Sequence, residues 1–231
     1  ILDPAEFFES WLSNGTGGTC WAHGNALYSF LKALGFDVHR AAASMYDFGQ
    51  PNHATAIVNF EDGSRWIVDN SLLTMEPLNI EPASPSQLSE GVHYAEVEYD
   101  GDTLYVHGTA PPMPHIFFRL LEPEVPESFY EERYEASRGF SPFNERIHIC
   151  RKTEESIWAM RGGNLFHVTV EGIQHQPLES EGIKRHLIET FGMSPDYVEQ
   201  WAASGAMESS LKSESAMPDL PVRIPPSKQG M

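Results

Sequence analysis

Cysteine is nearly absent from this chain, with only Cys20 and Cys150 among 231 residues. Two cysteines form one disulfide at most, which excludes a disulfide-stapled scaffold, and no Cys-x-x-Cys pair offers a zinc site. Positive charge is also scarce: 15 Lys and Arg stand against 33 Asp and Glu, a formal net charge of -18 at pH 7. Such a field repels phosphate backbones and anionic lipid, and no basic stripe offsets it, so neither nucleic acid nor membrane is expected as a partner. No apolar run approaches the roughly 18 residues that span a bilayer. No charged stretch leads into an apolar one at the start, so no signal peptide is expected. Ten histidines are present. None falls in an HExxH or Cys/His cluster, and no metal is expected. A reducing, cytoplasmic setting fits this usage best, and there a lone thiol is free for chemistry.

What is present is a globular composition, 41% hydrophobic and 21% charged. Residues 5–13 read as a short helix with Phe7, Phe8, Trp11 and Leu12 on an apolar face. A glycine-rich turn follows, and then a second helix in which Leu27, Phe30, Leu31 and Leu34 recur at helical spacing, read as one buried stripe. Gly35 suits a left-handed stop, with Phe36 folding back on Leu31. Thr19 is a candidate N-cap, which places Cys20 in the first helical turn. Beyond this helix the period becomes two. Strands are expected over 38–46, 53–60 and 65–69, then over 115–121, 144–152 and 165–170, with hairpins at 99–102 and 158–164. Helical patterning returns at 178–191 and 195–203. From about Ala206 the chain reads as a polar tail.

Three residues stand out chemically. At a helix N-terminus, unpaired N–H groups and the macrodipole favour negative charge on the Cys20 sulfur, and Gly17-Gly18 lets a substrate come close. A buried structural cysteine is the alternative. The loop Glu61-Asp62-Gly63 fits a three-residue hairpin with Gly63 left-handed. Phe60 then pairs with Ser64, and Asp69 lies opposite Thr55, diagonal to His53 and on its face. A two-residue loop would instead put His53 and Asp69 on opposite faces. Cys150 is expected to be packed in its strand, and Arg161-Gly162-Gly163 to be a hairpin tip. Phe117, Phe118, Phe129, Tyr130, Phe140 and Phe143 are expected to be mostly core.

The run Gly17-Gly18-Thr19-Cys20-Trp21, with Leu27, Leu31 and Leu34-Gly35-Phe36, resembles the catalytic segment of the arylamine N-acetyltransferases. That family's motif is Arg-Gly-Gly-x-Cys-x-Glu followed by a helix ending Leu-Gly-Phe. His53 and Ile67-Val68-Asp69 match its histidine and aspartate, and Ile183, Leu187 and Phe191-Gly192 resemble its closing helix. The likeness spans roughly three-quarters of the chain. It implies a Cys20–His53–Asp69 triad and an α+β fold, with the cysteine at a helix N-terminus packed on an antiparallel β-sheet or barrel and a C-terminal helical lid. The implied units are a helical segment over 1–36 whose upstream helices are missing, a barrel domain over 37–172, a helical element over 173–203 and a flexible tail over 204–231. The implied chemistry is transfer of an acetyl group from acetyl-CoA, as co-substrate, to a small-molecule amine, either an arylamine or a hydrazine, through an acetyl-cysteine. Some of the aromatic residues would line the acceptor pocket. Departures are Thr16 for the motif arginine, Ala22 for the glutamate, and Asn70-Ser71-Leu72-Leu73 for a Gly-Phe-Gly stretch. They leave open a thiol amide synthase or transglutaminase-like enzyme using a non-CoA acyl donor, or a non-catalytic binding protein.

Overall fold

The computed structural model describes residues 2–72, 74–110, 113–141 and 143–212. Two helices lead, α1 (Pro4–Asn14) and α2 (Cys20–Ala33). Eight strands follow: β1 (Asp37–Met45), β2 (His53–Asn59), β3 (Arg65–Val68), β4 (Leu78–Asn79), β5 (Gln87–Glu90), β6 (His93–Asp100), β7 (Thr103–Ala110) and β8 (Met113–Glu122). Next come α3 (Glu127–Phe140) and the strands β9 (His148–Lys152), β10 (Ile157–Arg161), β11 (Asn164–Thr169) and β12 (Gly172–Pro177). The described chain ends in α4 (Ser180–Glu189), α5 (Pro195–Ala203) and α6 (Ala206–Lys212). The fold is α+β.

The strands divide into two sheets, an eight-stranded one in the order β4-β3-β2-β1-β8-β7-β6-β5 and a four-stranded one in the order β12-β11-β10-β9. The first curls into a nearly closed antiparallel barrel. Ser86 closes it: its backbone N–H donates to Asn79 O, its carbonyl accepts from Val97 N at 2.8 Å, and its hydroxyl accepts from Asn79 N. Ile57, Ile67, Leu78, Val106, Phe117 and Phe118 fill the interior. Among the described residues, no helix is long and apolar enough to cross a membrane.

Helix α2 lies against β1 and β2 on only part of the expected stripe, with Leu31 packed on Val38, Ala56 and Val58. Phe30 is 50% and Leu34 60% exposed, and the buried residues are Trp21, Ala22, Gly24, Asn25 and Ala26. Small side chains win because they let the helix backbone approach the sheet. A Cβ on Gly24 would sit 3.2 Å from Ala54 Cβ and 3.4 Å from the Tyr130 ring. The stop is as expected: Phe36 N donates to Leu31 O and Gly35 N to Lys32 O, with Gly35 at φ 91.

Helix α3 has no counterpart among the expected elements. It inserts Tyr130, fully buried, whose hydroxyl lies 2.8 Å from Ala41 O and 2.6 Å from Thr55 O. Of the aromatic residues expected in the core, Phe140 and Phe143 are instead 71% and 45% exposed. The polar stretch after Ala203 also differs from expectation, because 206–212 form α6. There Ser210 is buried and its hydroxyl accepts from Ile147 N. The rest of the expected tail, 213–231, lies outside the described residues.

Candidate active site

The site sits at one end of the barrel, where β1 ends, β2 begins and β3 ends. Cys20 is the first residue of α2. Thr19 precedes it in extended backbone, but its side chain makes no capping bond, so the N–H groups of the first turn have no hydroxyl partner there. The thiol faces Asn52 O at 3.8 Å. That carbonyl is held by the 46–52 loop, where Asn52 Oδ1 accepts from Met45 N and Ser44 Oγ accepts from Gly49 N. Tyr46 and Asp47 adopt left-handed backbone (φ 56 and 53), a conformation costly without Gly and secured here by an Arg119–Asp47 ion pair.

His53 and Asp69 meet as the hairpin register requires. Phe60 N donates to Ser64 O, Gly63 is left-handed at φ 85, and Ala56 pairs with Val68. One more step along the ladder brings Asp69 beside Thr55, on the face of His53. His53 Nε2 and Asp69 Oδ2 are 2.7 Å apart, and both residues are buried. The ring's other nitrogen, Nδ1, is left for the thiol, and the ring hydrogen-bonds to Cys20. Phe118 covers the ring with centroids 4.9 Å apart.

The segment that departs from the family pattern has a definite task. Asp69 Oδ1 accepts from Ser71 N (3.0 Å), Ser71 Oγ (2.8 Å) and Leu72 N (2.9 Å). Both carboxylate oxygens are therefore satisfied without water. Burial alone would raise the Asp69 pKa, but His53 and these donors hold it below the ordinary value. Burial likewise opposes charge on His53, yet Asp69 and Cys20 together push its pKa up to about 10.

These opposite shifts fix the pH dependence of stability. The raised His53 pKa contributes stability that is full below its ordinary 6.5 and is lost as pH climbs through about 10. The lowered Asp69 pKa contributes stability that is full above its ordinary 3.8 and is lost on acidification below it. Between 3.8 and 6.5 both contributions are complete. Thermal denaturation across pH is expected to show a decline above neutrality in the native chain that His53→Gln lacks. Parallel curves for the two proteins would contradict the coupling.

His23 was not singled out by sequence, yet it shapes the approach to the thiol. Its Nε2 accepts from Gly18 N at 3.1 Å, so a residue in the first turn of α2 pins the Gly17-Gly18 turn before it. Burial lowers its pKa, opposed by Asp69, which keeps the ring neutral and able to accept. A side chain at Gly18 would meet Ala22 at 3.0 Å and Phe7 at 3.1 Å. Where the family motif has an arginine, Thr16 instead shares a 2.7 Å hydrogen bond with Ser10. Asn52, Ser71, Phe118 and Tyr130 also lie outside the triad that sequence reasoning assembled. Only the Asx-type reach of Asp69 to residues two and three ahead has a local signal.

Cys150 is not part of this group. It lies on β9 as a free, half-buried thiol, 4.0 Å from His148 Nε2, and burial pushes its pKa up. Gly162 turns the β10–β11 hairpin as expected, at φ 55. A separate cavity of about 300 Å³, lined by Trp158, Leu165, His167 and Gln174 among others, lies on the α4 side of the four-stranded sheet, and no triad residue lines it. Among the described residues no group of three or more His, Cys, Asp or Glu is placed to hold a metal.

A thiol, an imidazole and a doubly satisfied carboxylate in line are the parts of a cysteine-based acyl transferase or hydrolase. Solved structures share the fold. The chain is similar to an arylamine N-acetyltransferase of Mycobacterium smegmatis, with 17% identity and a TM-score of 0.76 over 92% of this chain and 82% of that one. It is similar to one from Nocardia farcinica, with 18% identity and a TM-score of 0.75 over 90% and 79%. It is also similar to the Mycobacterium marinum enzyme in complex with CoA, with 18% identity and a TM-score of 0.70 over 91% and 81%. No curated protein sequence matches the chain. A model of the N-acetyltransferase family matches residues 1–198. The chain belongs to that family.

Proposed function

We propose that the protein moves an acetyl group from acetyl-CoA to an arylamine or hydrazine through an acetyl-cysteine on Cys20. The observation that carries this reading is the 2.7 Å His53–Asp69 contact beside a thiol at a helix start. His53 Nδ1 takes the thiol proton and Asp69 stabilises the imidazolium. The sulfur attacks the thioester carbonyl, and the tetrahedral adduct collapses by breaking the bond to the CoA sulfur, which leaves with the proton from His53. The amine then attacks the acetyl-cysteine, His53 accepts the amine proton and returns it to the Cys20 sulfur, and the amide departs. The uncapped N–H groups of the α2 first turn are suited to hold the oxyanion in both steps. The presence of CoA in the M. marinum relative supports the choice of donor. The two free thiols fit a reducing cytoplasm.

The test is a rapid-mixing measurement of CoA release. Without amine, acetyl-CoA should give a burst of one CoA per enzyme and then stop. Adding an arylamine should restart release, with ping-pong kinetics. Release only when amine is present, or hydrolysis continuing without it, would exclude a stable acyl-enzyme.

A further inference from the structure

His23 stands in the first turn of α2, three residues after the nucleophile, and makes contacts on both sides of the triad. On the cysteine side, Gly18 N donates to His23 Nε2 at 3.1 Å, and His23 N donates to Thr19 O at 3.0 Å. A Cβ on Gly17 would sit 3.4 Å from the same ring nitrogen, so both glycines of the turn close on it. On the aspartate side, Asn70, the residue after Asp69, donates from Nδ2 to His23 O at 3.5 Å. Phe7 meets the ring edge-on, with centroids 5.3 Å apart. His23 therefore joins the residue that follows Asp69 to the turn that leads into Cys20.

Stability does not explain a histidine here. Because Nε2 accepts from Gly18, the neutral ring carries its proton on Nδ1, and that atom is buried with no hydrogen-bond partner. A buried orphan donor weighs against the folded state. Burial keeps the ring from charging, with Asp69 opposing. Gly18 is exposed, so its N–H would find water if the ring were gone. The bond thus orders the turn more than it supports the fold. What it orders is the backbone just before Cys20 and the start of α2, where the uncapped N–H groups lie. Donors that meet a developing charge work best when held in place before the reaction.

We propose that His23 is a positioning residue for acyl transfer, its Nε2 holding the Gly17-Gly18 turn so that the acyl donor meets the sulfur and the α2 N–H groups together. This role rests on the acyl-transfer reading of Cys20. His23 moves no proton: the thiol's partner remains His53, and His23 acts only through the backbone before Cys20.

Two substitutions separate the ring's roles. His23→Gln keeps an acceptor at the position of Nε2 and loses the ring against Phe7, whereas His23→Phe keeps the ring and loses the acceptor. With acetyl-CoA and no amine, the CoA burst of His23→Phe should slow by about ten- to a hundredfold, the scale of a small misplacement at a reacting centre. The acetyl-CoA concentration that gives half the maximal burst rate should not change. His23→Gln should stay within about threefold of the native rate, since the hydrogen bond is retained. Alkylation of Cys20 by iodoacetamide should be alike in all three proteins, because that reagent needs only the thiolate. The Gly18 amide should exchange with solvent faster in His23→Phe alone, with the three melting temperatures close together. A His23→Phe burst equal to the native one, or one faster than that of His23→Gln, would make the ring a packing group and overturn this role. So would alkylation that falls in step with the burst in His23→Phe, which would place the defect in the triad itself. If the native chain releases no CoA, the acyl-transfer reading from acetyl-CoA fails, and 4-nitrophenyl acetate replaces the donor in the same comparison. Faster acylation of the native chain and His23→Gln than of His23→Phe by that ester still supports the positioning role. Equal acylation of the three, or none, removes it.

Discussion

Asp69→Asn is expected to slow acetyl transfer by about 10³–10⁴-fold while leaving the fold intact, the scale of the same change in serine triads. An asparagine at this position can keep its oxygen on Ser71 and Leu72, whose donors now hold Asp69 Oδ1. Its NH₂ then replaces Oδ2 and donates to His53 Nε2. The imidazole responds by carrying its proton on Nδ1, the nitrogen left for the thiol. In that tautomer it cannot accept the Cys20 proton, and no carboxylate remains to stabilise an imidazolium. Because a thiol is a better nucleophile than a hydroxyl, the loss should fall toward the lower end of the range. Alkylation of Cys20 by iodoacetamide at neutral pH should slow in parallel, with melting temperature measured on the same samples. Asp69→Asn retaining both activity and alkylation rate within about tenfold would reduce Asp69 to a turn former.

His53→Leu tests the other side of the pair, and its main effect should be on stability. Asp69 is buried, and its Oδ2 has His53 as partner. Removing the imidazole leaves Oδ2 of a buried carboxylate without its partner, while Oδ1 keeps its donors. Breaking a buried ion pair in this way costs about 3–5 kcal/mol. The same substitution in an Asp69→Asn background should cost much less, since no charge is stranded, and the difference measures the coupling. Urea denaturation of the four proteins supplies the cycle. A His53→Leu penalty of equal size in the native and the Asp69→Asn backgrounds would show that the pair is not electrostatically coupled.

How far the sequence discloses this site depends on how local each determinant is. The Glu61-Asp62-Gly63 loop sets the hairpin register, and that register places His53 against Asp69 before any tertiary contact is considered. The helix stop at Gly35 is equally local. In α2, by contrast, the apolar stripe of Leu27, Phe30, Leu31 and Leu34 is only partly the buried face: Leu31 packs on the sheet, while Phe30 and Leu34 are exposed. Close approach of the backbone at Gly24 to Ala54 and Tyr130 outweighs side-chain hydrophobicity, and hydropathy alone cannot register closeness. Helix α3 escapes for a related reason. Its sequence is rich in charge, and it is anchored by the single buried Tyr130, whose partners Ala41 and Thr55 lie 75 and more residues away. Asn52 O meets the Cys20 thiol only once α2 has packed against the barrel.

The central claim is that Cys20 carries the acyl group, and intact-protein mass spectrometry after incubation with acetyl-CoA, without amine, tests it most directly. The account predicts one acetyl group per chain, mapped to the Cys20 peptide, absent from Cys20→Ser, and discharged by an arylamine. An acetyl group on Cys150 instead, or an unmodified protein under the same conditions, would contradict it.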